Sequence, residues 1–127
     1  MAGTLVANTI NTDTGLFSTN NAYNGIAKAW VNFTGSTPAV VNSSFNVSSV
    51  TRVQTGVYAI NMTTAMPNTN YVTVFGSNST TAYSSGYLIC RYDAYTAPTT
   101  SSFTIETFSV APAPYDVGFA SVVVFSS

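Results

Sequence analysis

The chain has 127 residues, 46% of them hydrophobic and only 6% charged, with a net charge of −1, one cysteine and no histidine. That composition suits a single domain that buries a core without metals or crosslinks; it excludes an intrachain disulfide and removes the usual metal ligand and general base. Lys28, Arg52 and Arg91 lie far apart in the chain, so nothing resembles the clustered basic surface that nucleic acid or an anionic membrane requires.

Against a norm of about a quarter charged residues, the polar positions here are mostly Thr, Ser and Asn. These residues are poor in helix interiors, and Thr favours strands. An all-β fold is the expectation, with no cofactor.

Residues 1–25 read as an N-terminal arm. GTLVANTI suits one short strand, and NTDTGLFSTNNAYNG a polar, turn-rich connector. The opening lacks the basic and long apolar segments of a secretory signal. The domain proper is expected over residues 26–127.

The first strand of that domain is expected over Ile26 to Phe33, where Ala27, Ala29, Val31 and Phe33 alternate with Ile26, Lys28, Trp30 and Asn32. FTGSTPAVVN reads as a loop interrupted by Gly35 and Pro38. Phe45 to Val53 follows, with a slip of alternation that predicts a bulge near Ser48-Ser49. After the turn Gln54-Thr55-Gly56 comes Val57 to Met66, and after Pro67 to Asn70 the short strand Tyr71 to Phe75. GSNSTTAYSSG is a loop; Tyr87 to Ala94, Ser102 to Val110 and Val117 to Phe125 complete the set. The result is about seven strands and no convincing helix, the pattern of an antiparallel β-sandwich, jelly-roll-like in outline. Cys90 reads as a small core residue. The longest late apolar run, Val122 to Phe125, is far too short to span a bilayer, so no membrane insertion is expected.

In the last strand Val117, Phe119, Val123 and Phe125 share one phase, and Ala120, Val122 and Val124 the other. Strands 26–33 and 117–125 therefore both lack a wet face, which a lone two-sheet sandwich should leave them. Another copy of the chain is the simplest cover, and Ile26, Trp30 and Phe125 are the candidate subunit-interface residues. Lys28 is expected at the rim of that contact, its stem along Trp30.

The block AKAWVNFTG, followed by SSFNVSSVTRVQTGVYAINMTTAMPNTNYV, and the ending DVGFASVVVFS resemble the C-terminal domain of bacteriophage tail-fibre and related virion proteins. The opening GTLVANTINTDTG resembles a short attachment segment of such proteins. The resemblance implies a homotrimeric, β-rich module on the surface of a virion, assembled in the host cytoplasm and often serving host attachment. In that family the domain usually ends a long shaft. Here only residues 1–25 precede it, which makes them the candidate contact with other virion proteins, or makes the chain a head-decorating trimer.

Two groups of residues are candidates for ligand contact. In AYSSGYLICRYDAY, Tyr87, Arg91, Asp93 and Tyr95 share one strand phase. Tyrosine rings suit stacking on sugars, and a host cell-surface glycan is the ligand they would fit. Ordinary cross-strand or subunit-interface packing, with Arg91 and Asp93 as a local surface pair, is the simpler explanation. The loops GSNSTTAYSSG and APAPYD add Tyr83 and Tyr115, because loops on a rigid scaffold often carry recognition. The four acids, Asp13, Asp93, Glu106 and Asp116, form no motif. A depolymerase would need two of them held across a sugar, so no enzyme is expected.

Overall fold

The computed structural model describes residues 3, 6, 9–12, 15–78, 89–109 and 113–127. Two antiparallel four-stranded sheets, built from eight strands, pack face to face. The strands are β3 (Ala29–Thr34), β4 (Val40–Phe45), β5 (Val47–Gln54), β6 (Val57–Met62), β7 (Val72–Asn78), β8 (Ile89–Tyr92), β9 (Ser102–Phe108) and β10 (Phe119–Phe125). Ahead of them stand a hairpin, β1 (Thr9–Thr12) and β2 (Gly15–Ser18), and a helix, α1 (Thr19–Gly25). The first sheet has the order β4-β3-β10-β7 and the second β5-β6-β9-β8. Sequential strands pair as hairpins in β3–β4, β5–β6 and β8–β9. A jelly roll instead sends most consecutive strands to opposite sheets, so that likeness stops at the two four-stranded layers.

The core is supplied by alternate positions. Ala29, Val31 and Phe33 of β3 and Ala120, Val122 and Val124 of β10 point inward from the first sheet; Tyr58, Ile60 and Met62 of β6 and Phe103 and Ile105 of β9 meet them from the second. Each large apolar side chain so buried contributes roughly 1.5–3 kcal/mol. The rings of Phe33 and Tyr58 touch across the layers at 5.1 Å between centroids, and Phe75 meets Tyr92 edge-on at 5.5 Å. Cys90 is partly buried against this core, and burial pushes its thiol up to about 12. It stays protonated at neutral pH and is a poor nucleophile.

Several expectations change. FTGSTPAVVN is not a loop throughout: Val40–Phe45 is the edge strand β4. Gly35 and Pro38 mark only the turn before it. β4 is irregular, because Asn32 opposes Ser43 while Phe33 opposes Val41. Asn42 is the extra residue, and its amide donates to Asn32 Oδ1 at 2.9 Å. The bulge expected near Ser48-Ser49 is present as the register shift between Val47 and Ser49. Val57 to Met66 is shorter than expected; β6 ends at Met62, yet Met66 remains buried. Val117 does not share the outward phase of β10. It precedes the strand and is fully buried, because its N–H is held by the Tyr58 hydroxyl at 3.3 Å. Residues expected as a connector form β2 and α1. Helix α1 ends at Gly25, and the Lys28 ammonium caps its Tyr23 carbonyl and sits 3.3 Å from the centre of the Tyr23 ring. Lys28 is thus taken up by Tyr23.

The chain passes from β4 in one sheet to β5 in the other at Asn46, whose φ is 54°. Asparagine tolerates this left-handed conformation better than most residues. Its side chain staples three segments: the amide donates to the carbonyls of Lys28 (3.0 Å) and Thr64 (3.1 Å), and Oδ1 accepts from the Thr64 N–H (2.7 Å). Asn46→Ala should therefore cost about 2–3 kcal/mol, from lost hydrogen bonds and left-handed strain. Asn46→Gly should recover about 1 kcal/mol of that by relieving the strain alone. Urea unfolding of the pair reads both. Equal stabilities for the two variants would show that strain is not part of the cost.

Candidate functional site

The two outer faces of the sandwich differ in chemistry. On the side of the second sheet away from the core lie Thr51, Gln54, Asn61 and Arg91, with Thr104 and Glu106 on the same side but buried, and Ala59 and the buried Val57 between them in register. Its Arg91 guanidinium pairs with Glu106 at 3.0 Å and covers the Phe108 ring.

Among the described residues, the four strands of the first sheet carry no ionisable side chain on their outer face; Lys28, just ahead of β3, is held at Tyr23. Strand register places Phe45, Trp30, Val123 and Val74 opposite one another on β4, β3, β10 and β7. They form one apolar row running from edge to edge of the sheet. Val72 lies beside Phe125 in the adjoining row. Phe45, Val72 and Val74 are exposed, Trp30 is 37% exposed, and Ile26 just ahead of β3 is 60% exposed. On the other side of the apolar row runs a polar one, Ser43, Asn32, Ser121 and Gly76. Its Asn32 amide donates to Ser121 Oγ at 2.9 Å and its Asn32 oxygen accepts from Asn42. Asn32 and Ser121 are thus bonded to each other within the sheet.

Ile26, Trp30 and Phe125, singled out in the sequence, thus lie on or next to this one face. Phe45, Val72 and Val74 complete it and were not singled out. The signal for Val72 and Val74 is the alternation V-x-V in YVTVF; Phe45 reads as the start of the strand Phe45 to Val53, whereas it is the last residue of β4.

The residues proposed for ligand contact are dispersed. Tyr83 and Tyr87 lie outside the described residues. Arg91 is committed to Glu106 rather than to Asp93. The Asp93 carboxyl is held below its usual range, first by the Thr96 hydroxyl, in the loop that follows β8. Tyr95, in the same loop, is almost fully exposed. Tyr115 lies elsewhere, its N–H on the Thr107 carbonyl and its carbonyl accepting from Thr107 Oγ1. That is near the far end of β9 from the level of Thr104, where Asp93 joins.

A second polar cluster ties the sheets together. Asp116 takes a two-pronged contact from Arg52 (2.9 and 2.8 Å), the Gly56 N–H (2.8 Å) and the Tyr58 hydroxyl (2.9 Å). Arg52 first, then the Gly56 N–H and Tyr58, hold the Asp116 carboxyl below its usual range despite partial burial. All its oxygens are engaged by the fold, which makes it a structural group.

Among the described residues no group of three or more His, Cys, Asp or Glu could hold a metal ion, and no helix is long and apolar enough to cross a membrane. Comparison of the chain with protein-family models, with curated proteins and with solved structures finds no match.

Proposed function

We propose that this protein is a structural module of a bacteriophage particle, working as a self-assembled homotrimer at a tail-fibre or spike tip and mediating attachment to the host surface. The observation that carries the reading is the uncharged apolar row Phe45–Trp30–Val123–Val74 on the outer face of the first sheet. A free monomer gains nothing from such a face, whereas a subunit gains by covering it with a copy of itself. The virion setting is supported by the resemblance of residues 26–75 to phage fibre domains. Recognition would fall to exposed loop residues such as Tyr95; weak contacts from several copies would add through avidity.

Sedimentation velocity of the full chain at micromolar concentration is expected to give an oligomer. Trp30→Glu combined with Val123→Glu should give a folded monomer, with association weakened about 100-fold or more, since each copy would bring charges into an apolar contact. A wild-type monomer overturns the reading. Labelled oligomer on host cells then tests attachment: adsorption above a control protein supports a tip, and its absence points to a head-decorating trimer without a receptor.

A further inference from the structure

The chain holds a single Asn-Gly pair, Asn24-Gly25, and these are the last two residues of α1. An asparagine side chain can react with the backbone nitrogen of the next residue. Glycine favours this most, because it has no side chain to shield its nitrogen and its backbone turns freely.

The surroundings of the pair leave the reaction open. Both residues are exposed. A Cβ on Gly25 would meet nothing within 4 Å, so the space beside it is clear. The side-chain amide of Asn24 has no hydrogen-bond partner among the described residues. By contrast, the amides of Asn32, Asn42, Asn46 and Asn61 donate to Ser121, Asn32, the Lys28 carbonyl and Ser49. Those four lie in strands or in the bend between β4 and β5.

Two clasps close the last helical turn around the pair. The Ile26 N–H donates to the Ala22 carbonyl at 3.0 Å and to the Tyr23 carbonyl at 3.4 Å. The Lys28 ammonium donates to the same Tyr23 carbonyl and lies over the Tyr23 ring. A helix of seven residues is too short to stand on its own hydrogen bonds, so the clasps govern how often the turn opens. Opening matters, because the cyclic product requires Asn24 to leave its helical ψ.

We infer that Asn24-Gly25 is a self-modification site, converting through a cyclic imide to aspartate and isoaspartate at a rate governed by the Lys28 clasp on Tyr23. The Gly25 nitrogen bonds to Cγ of Asn24. The Cγ–Nδ2 bond breaks, and ammonia leaves with the proton lost from the Gly25 nitrogen. Water then opens the five-membered imide on either side of that nitrogen. One opening gives aspartate; the other gives isoaspartate, with an extra methylene in the backbone. Solvent water is the only co-reactant, and nothing is oxidised or reduced. Both products set a carboxylate at the carboxyl end of α1, where the helix dipole opposes it. The change is one-way and falls where residues 1–25 join the sandwich. It does not depend on the proposed self-association.

The test incubates the full chain at mildly alkaline pH. Isoaspartate is labelled with an isoaspartyl methyltransferase and located by peptide mass spectrometry. Modification at Asn24 ahead of every other asparagine is expected, faster as pH rises, because hydroxide removes the Gly25 amide proton. Gly25→Ala should keep the fold by circular dichroism and lose nearly all of the signal at Asn24. Lys28→Met keeps the apolar stem and removes the clasp; it should react about two- to fivefold faster, because the turn opens more often without its cap. Isoaspartate that appears first at another residue, or equally at Asn24 in Gly25→Ala, overturns the site. A wild-type rate in Lys28→Met overturns the governing role of the clasp.

Discussion

Gly56→Ala is expected to destabilise the fold by about 3 kcal/mol or more. Gly56 sits in the turn between β5 and β6 with φ +70°, a conformation that costs other residues of order 1 kcal/mol or more. Space is the larger obstacle. A Cβ at this position would lie 2.6 Å from the Thr107 carbonyl oxygen and 2.7 Å from the Tyr115 nitrogen. Both are backbone atoms, and they are hydrogen-bonded to each other at 3.0 Å. Neither can swing aside like a side chain, so the β5–β6 turn must part from the end of β9. That would also loosen the bond from the Thr107 N–H to the Gly56 carbonyl at 2.7 Å. Urea unfolding should show a lower midpoint with an unchanged slope. Gly25→Ala is the comparison: a Cβ there meets nothing within 4 Å, and its effect should stay within about 0.5 kcal/mol. Equal midpoints for the two variants would refute this account of Gly56.

Asp116→Ala is expected to cost about 2–4 kcal/mol. It leaves the Gly56 N–H without its acceptor and Arg52 without its partner, and it removes one acceptor of the fully buried Tyr58 hydroxyl. Tyr58 keeps the Gly35 carbonyl at 3.1 Å, which limits the loss. The same group gives the protein a defined acid response. The carboxyl of Asp116 is held below its usual range in the fold, by Arg52 first. A depressed folded value means that its contribution is fully present above the unfolded value near 3.9 and is lost as pH falls through the folded one. Stability should hold from neutrality to about pH 4 and then decline. Asp116→Asn should start lower and decline less steeply. Some decline should persist, since Asp93 is also held low, by Thr96 first. Melting curves of both proteins between pH 2 and pH 7 decide it, and parallel acid declines would remove Asp116 from the explanation.

Much of the fold was legible because alternation is a local signal. Of Ala27, Ala29, Val31 and Phe33, which read as one inward phase, the last three are buried, while Ala27 lies ahead of β3 and is only partly buried; Ala120, Val122 and Val124, which share one phase of the last strand, are buried as well. The slip at Ser48-Ser49 is a bulge because one extra residue reverses the faces of a strand. β4 was not legible. Its residues are exposed on both faces, so no apolar period marks it, and its strand character comes from pairing with β3. Val117 was misplaced for the complementary reason. Its phase suits β10, but the tertiary anchor on Tyr58 turns it inward before the strand begins.

The odd tryptophan of β3 shows the same division at the candidate site. Its outward phase and its conflict with a wet face were in the sequence. Its companions Phe45, Val74 and Val72 were not, because register between strands distant in the chain is decided by which edges meet, and no local pattern encodes that. By itself, the sequence determined a charge-poor all-β chain with one face too many that is apolar, since composition and period act residue by residue. Only the tertiary structure decided that those apolar positions form a single row and that Arg52 and Arg91 are paired with Asp116 and Glu106. Each of these depends on contacts between segments far apart in the chain, where packing and hydrogen bonding choose among many arrangements that local preference leaves equal.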